Sequence, residues 1–135
     1  MKLTRSVGYA VSVLLQISDH DSSEHVTATR IAKGCDLPPR FLYRVLRCLV
    51  DAGILSGATG PGGGYRLTRN IRKIHLLSIA DAVEGIPEAA RLQPVRPKHR
   101  RAIRQINQVC HSNEQRFRAE LRKVSLAKLQ KATKR

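Results

Sequence analysis

Across residues 27–67 the apolar positions change their period, and the change divides the segment into short elements. Leu42, Val45, Leu46 and Leu49 recur at the three- and four-residue spacing of one helix face. Arg40, Tyr43, Arg44 and Arg47 repeat that spacing on the opposite side, so one face packs and the other presents cations. Pro38 and Pro39 suit the start of this helix, where the first amide hydrogens lack intrahelical acceptors, and Gly53 suits its end. The pattern therefore predicts a helix from about residue 39 to 52. Upstream, Thr27 can cap a short helix that turns Ile31 and Ala32 inward, with residues 34–37 as the turn between the two helices. Downstream, residues 54–58 and 65–68 read as strands, and the Gly60-Pro61-Gly62-Gly63-Gly64 run between them supplies the conformations of a hairpin tip. Two helices, a tight turn and a hairpin make a winged helix-turn-helix.

The flanks complete this unit. Val7, Ala10, Val11, Leu14 and Ile17 repeat at helical spacing, and residues 18–24 are a polar loop. Lys2 and Arg5 ahead of that apolar stretch imitate a secretory leader, but Ser12 and Gln16 interrupt it and no small-residue cleavage site follows. It reads as a core helix of a cytoplasmic protein. Leu76, Ile79, Ala80 and Val83 mark a helix ending near Gly85, before a loop containing Pro87, Pro94 and Pro97. From about Lys98 a long helix carries Ile103, Cys110, Phe117 and Val124 seven apart, with Ile106 and Asn113 between them and the register drifting to Leu121. So narrow a seam could fold back onto its own domain, but the charged remainder of the helix leaves it little to bury alone and favours a second copy, whose register Asn113 would fix.

The expected fold is thus mainly α: a winged helix-turn-helix with a small β-hairpin wing and a long C-terminal dimerisation helix. A winged helix-turn-helix commonly reads DNA, so residues 1–85 are expected to form a DNA-binding domain, 86–97 a basic proline-containing loop, and 98–135 the dimerisation helix and basic tail.

Charge narrows the partner. Lys and Arg total 25 against 10 Asp and Glu, a net +15 that favours polyanions. Residues 1–85 hold 11 basic and 7 acidic side chains, whereas residues 86–135 hold 14 and 3. Aromatics are 4% with no Trp, which disfavours stacking on single-stranded bases and leaves double-stranded DNA as the expected partner. No apolar run approaches the roughly 18 residues of a membrane span, so no membrane partner is expected. Arg91, Arg96, Lys98, Arg100, Arg101 and Arg104 lie in a stretch, 89–113, that holds no acid. Cations at a helix start oppose the helix dipole, which makes sense if anions neutralise them. Arg100, Arg101 and Arg104 are the candidates for extra phosphate contacts or for a small anionic effector, against the plainer reading of a solvated loop.

Other chemistries find little support. The five histidines stand near no nucleophile motif or metal-ligand repeat, so neither an enzyme nor a metal site is expected. Asp19, His20, Asp21, Glu24 and His25 read as a solvated loop. The glycine-rich run leads into a strand without a following Lys-Ser or Lys-Thr, unlike a phosphate loop. Cys35, Cys48 and Cys110 are odd in number and lack paired spacing, so no disulfide framework is expected. The alternative function is a general polyanion or RNA binder driven by the basic C-terminal segment.

The chain also resembles the Rrf2 family of bacterial regulators. The likeness begins at Met1-Lys2-Leu3-Thr4 and Tyr9-Ala10 and runs through Ile31-Ala32, Phe41-Leu42, Leu49 and Ala52-Gly53-Ile54-Leu55. It continues through Gly60-Pro61-Gly62-Gly63-Gly64-Tyr65-Arg66-Leu67 and Ile79-Ala80-Asp81-Ala82-Val83-Glu84-Gly85, and resumes weakly at Val124-Ser125-Leu126-Ala127. The resemblance implies a dimeric transcription factor, a repressor in the simplest case, whose recognition helix enters the major groove while its wing approaches the minor groove. Carried over by position, base reading falls to Arg40, Phe41, Tyr43 and Arg44, and backbone or wing contacts to Thr27, Thr29, Arg47, Thr59, Gly62, Gly63 and Arg66. The sevenfold spacing of the C-terminal helix, apart from the resemblance, assigns dimerisation to Ile103, Ile106, Cys110, Asn113, Phe117, Leu121 and Val124. Tyr43 stands where the family has a Glu, and Thr59 where its wing often has an Arg. Sensor members of the family hold an iron-sulfur cluster with three cysteines ahead of the dimerisation helix, whereas residues 86–109 here contain none. No cluster and no other cofactor is expected.

Overall fold

The computed structural model describes residues 2–85 and 91–134. Of the proline-containing loop expected at 86–97, residues 86–90 lie outside the described residues. The chain begins with α1 (Arg5–Ser18), α2 (Ala28–Cys35) and α3 (Pro39–Asp51). A hairpin of β1 (Leu55–Ala58) and β2 (Gly64–Leu67) follows, then α4 (Leu76–Glu84), α5 (Arg100–Arg122) and α6 (Leu126–Thr133).

One core serves the first four helices and the hairpin. Leu14, Ile31, Leu42, Leu46, Leu49, Ile54 and Ile79 are fully buried within it, each such side chain contributing about 1.5–3 kcal/mol through loss of apolar surface from water. Thr27 caps α2 by accepting the Arg30 amide at 3.3 Å, and the left-handed Asp36 ends the helix. Pro39 opens α3 as the spacing predicts. At the other end of α3, Thr68 donates its hydroxyl to the Gly53 carbonyl at 2.6 Å, which ties the helix exit to the base of the hairpin.

The hairpin is antiparallel, with Leu55 opposite Leu67, Ser56 opposite Arg66, Gly57 opposite Tyr65 and Ala58 opposite Gly64. Gly60 to Gly63 form its tip: the Gly63 amide donates to the Gly60 carbonyl at 3.0 Å, Pro61 takes the second position and Gly62 the third with φ 75°. That is the type II turn, whose third residue must tolerate positive φ. Gly64 is required for a second reason. A Cβ there would overlap the Val26 backbone, with which Tyr65 pairs through two 2.8 Å hydrogen bonds. The wing is thereby fixed to the loop that leads into α2.

The C-terminal region departs from the expected single helix. After a 3-10 turn at Pro97–His99, α5 runs 23 residues and stops. The Leu76 amide donates to the Val124 carbonyl at 2.8 Å, and the Leu126 amide to the Ile74 carbonyl at 2.7 Å, so residues 124–126 pair with the entry to α4. Ser125 then caps α6 by accepting the Lys128 amide at 3.2 Å. Leu126 sits wholly inside the main core and Gln130 donates to the Ser18 hydroxyl at 3.0 Å. The last helix therefore belongs to the winged unit. Burial of Leu126 outweighs the continuation of α5 that the sevenfold spacing predicts.

Candidate nucleic-acid interface

Helix α3 is divided as its sequence requires. Leu42, Val45, Leu46 and Leu49 face the core, while Arg40, Tyr43, Arg44 and Arg47 are exposed. Arg47 lies 3.9 Å from Asp51, with both side chains mostly in water, so this ion pair holds the guanidinium only weakly. Arg40 and Arg44 belong to none of the ion pairs among the described residues. Tyr43 is 58% exposed and has no aromatic partner among the described residues.

Phe41 sits differently from its neighbours. Its ring is half-buried and tilts against Tyr9 of α1 at a centroid distance of 6.0 Å, and the Arg40 guanidinium lies 5.3 Å from its centroid. A cation over an aromatic face is attracted by the ring quadrupole. Phe41 thus forms a support that links Arg40 to α1, while Arg40, Tyr43 and Arg44 stand in the open.

Between α3 and the wing runs an open groove of about 450 Å³ lined by Tyr43, Arg47, Val50, Asp51, Gly57 and Tyr65. Val50, Asp51, Gly57 and Tyr65 are not among the site residues expected from the sequence. Val50 lies on α3 itself, and Gly57 and Tyr65 meet it because the hairpin register turns them toward it, which no local spacing announces. Thr59 and Gly62 are exposed at the wing tip, whereas Gly63 is buried beneath it and shapes the turn. Arg66 is exposed but borders a cleft with residues 18–24, away from the α3 groove. Thr27 and Thr29 are exposed at the start of α2.

The seam on α5 is redistributed. Leu121 is buried within the subunit, Ile103 and Phe117 are half-buried, and Val124 lies beyond the helix end. Ile106 is 45% and Val109 61% exposed, and Cys110 and Asn113 are exposed as well. The apolar ridge left open therefore runs along Ala102, Ile106 and Val109 to Asn113. The sevenfold count misses Val109, although its spacing of three from Ile106 and four to Asn113 marks it as part of that face. Arg100, Arg101 and Arg104 are exposed in the first turns of α5, which contain no acid.

Two contacts connect α5 to what precedes it. Arg118 donates to both carboxylate oxygens of Asp81 on α4 at 3.0 Å, with the two side chains only 19% and 23% exposed. Hydrogen bonding to Asp81 raises the already high pKa of the Arg118 guanidinium. Asn107 accepts the Leu92 amide and donates to the Leu92 carbonyl, both at 3.0 Å, which clamps residues 91–92 onto α5.

Among the described residues the three cysteines are spread over three helices and do not form the close donor set of an iron-sulfur cluster. Cys35 and Cys48 lie on α2 and α3, and burial pushes the Cys35 thiol up. Cys110 and His111 are adjacent on α5, where successive side chains diverge by about 100°. No group of three or more His, Cys, Asp or Glu side chains among the described residues could hold a metal ion. In the 18–24 loop, Asp21 accepts the amide and hydroxyl of Ser23, each at 2.9 Å, and these bonds lower its pKa. No helix among the described residues is long and apolar enough to cross a membrane.

Known proteins of similar sequence and fold agree with this layout. The profile of a family described as "Rrf2: Iron-dependent Transcriptional regulator" matches residues 3–132. The chain is 34% identical over 85 residues to a Bacillus subtilis (strain 168) protein, YwgB, whose name places it among HTH-type regulators; the match covers 63% of this chain and 54% of that protein. It is 30% identical over 93 residues to the HTH-type transcriptional regulator IscR of Vibrio campbellii, covering 69% of this chain and 55% of that one. The chain thus spans about half the length of these curated relatives. Among solved structures, CymR, titled the global cysteine regulator of B. subtilis, superimposes with a TM-score of 0.70 over 98% of both chains at 16% identity, a likeness of fold alone.

Proposed function

The chain belongs to the Rrf2 family of transcriptional regulators, and on that premise we propose that it is a sequence-specific DNA-binding regulator. It grips a two-fold symmetric duplex site as a homodimer, without an iron-sulfur cluster, and represses by occupying that site. The observation that carries this reading is the free face of α3, where Arg40, Tyr43 and Arg44 are exposed above a wall of buried leucine and valine. Arginine forks suit the paired acceptors of guanine in the major groove, and the apolar ring of Tyr43 suits a thymine methyl. Phe41 contributes by holding Arg40 in place. Thr27, Thr29, Arg47, Thr59 and Gly62 take the sugar-phosphate backbone on either side of the groove between α3 and the wing.

Dimerisation is supported by the open ridge of Ile106 and Val109, which nothing in the subunit covers among the described residues. Two copies joined there place two α3 helices on one duplex, half-sites about one helical turn apart. Arg100 and Arg101, exposed and outside the ion pairs of the described residues, add phosphate contacts at the flanks of the site.

The test compares affinity for a duplex selected from a random pool with affinity for unselected duplex at the same salt concentration. A preference of roughly 10³ or more is expected. Changing Arg100 and Arg101 to Gln should flatten the log-log salt dependence by about 0.9 for each phosphate that is no longer neutralised. Residues 86–135, with 14 basic against 3 acidic side chains, favour one other reading, a general polyanion or RNA binder. That reading predicts equal affinity and an equal salt slope on every sequence.

A further inference from the structure

Residues 91–92 are held against α5 by an unusual device. Both backbone polar groups of Leu92 pair with the single side chain of Asn107, as a neighbouring strand would pair with them. The clamp brings Arg91 over the second and third turns of α5. There an open groove of about 650 Å³ is lined by Arg91, Arg104, Asn107, Gln108, Cys110, His111 and Ser112.

Among the described residues no acid lines the groove. Residues 89–113 contain no Asp or Glu, and neither Arg91 nor Arg104 takes part in the three ion pairs among the described residues. Two guanidinium groups facing one depression repel each other unless an anion lies between them. Guanidinium forks match the oxygen pairs of phosphate and carboxylate, and the amides of Asn107 and Gln108 and the Ser112 hydroxyl add neutral donors. The volume lies within the range of small-molecule sites.

We propose that this groove binds a small oxyanion carrying at least two negative charges, a phosphorylated or polycarboxylate compound, bridged between Arg91 and Arg104. Arg104 thereby separates from Arg100 and Arg101, which lie outside the groove. Bound anion draws residues 91–92 more tightly onto α5, and since these residues lie between α4 and α5 in the chain, the ligand acts on how the winged unit is joined to the open ridge. Binding itself is independent of the DNA-binding reading; only its regulatory consequence rests on that reading.

Calorimetric titration of the full chain with inorganic pyrophosphate, without DNA, tests the site. Saturable binding of one pyrophosphate per chain is expected, at least tenfold weaker in the double variant R91Q/R104Q and changed less than twofold in R100Q/R101Q, which removes the same charge outside the groove. Asn107→Ala, which releases the clamp without changing charge, should weaken it as well. All substituted side chains but Asn107 are exposed, so circular dichroism should be unchanged in both double variants. Equal weakening in the two double variants would mean general attraction to a basic surface and would overturn the proposal. So would an absence of saturable binding, or a groove that responds only to duplex, with R91Q/R104Q losing DNA affinity while pyrophosphate leaves the wild-type protein untouched.

Discussion

Arg44 and Leu46 are two residues apart on α3, yet their substitution should act through different quantities. Arg44 is exposed and outside the ion pairs of the described residues, so Arg44→Ala should leave thermal stability nearly unchanged while lowering affinity for the selected duplex by about 1–3 kcal/mol. Leu46 is fully buried, and Leu46→Ala should cost about 2–5 kcal/mol of folding stability, read by denaturant titration. A large stability loss at Arg44 would mean that its face is packed rather than free. The division between the two was legible in the sequence because both stripes lie on one helix and share its period. Phe41 was not legible in the same way. Its ring is held by Tyr9, which belongs to another helix, and no local spacing reports a contact across elements.

At the scale of elements, the helix-turn-helix and wing follow their local signals closely, because prolines, glycines and the Thr27 cap act within a few residues of the boundaries they set. The end of α5 does not. Apolar positions continue the sevenfold spacing through Val124, but Ser125 can cap a new helix and the core has room for Leu126, and those two effects win. Leu126→Ala should therefore destabilise the whole chain by about 2–5 kcal/mol in thermal or denaturant unfolding. A freely extending tail would show no change.

The Asp81–Arg118 pair likewise escapes any reading of one segment, since its partners are 37 residues apart. A partly buried, two-bond ion pair adds little net stability for its geometry but leaves an uncompensated charge when broken. Asp81→Asn should lower stability by about 1–3 kcal/mol. It should also loosen the junction of α4 and α5, so that a variant pool selected for binding accepts more than one half-site spacing. Unchanged spacing preference would assign the pair a purely structural role.

For the molecule as a whole, the uneven charge and the uncovered ridge belong together. In the proposed homodimer a basic C-terminal region repels its own copy at close range, which favours a narrow apolar contact such as Ile106 and Val109 offer. The sequence exposes the existence of a seam but not its orientation, which depends on how α4 and Arg118 rotate α5 against the winged unit. Ile106→Asp combined with Val109→Asp should yield a folded monomer by sedimentation, with operator affinity lowered by a hundredfold or more. A variant that remains dimeric would place the interface elsewhere.

The central claim is that two exposed α3 faces meet one duplex together. Hydroxyl-radical footprinting of the full chain on its selected duplex measures this directly. The account predicts two protected tracts related by a dyad, their centres about 10 base pairs apart. A single tract, or uniform protection that follows the DNA without regard to sequence, would contradict it.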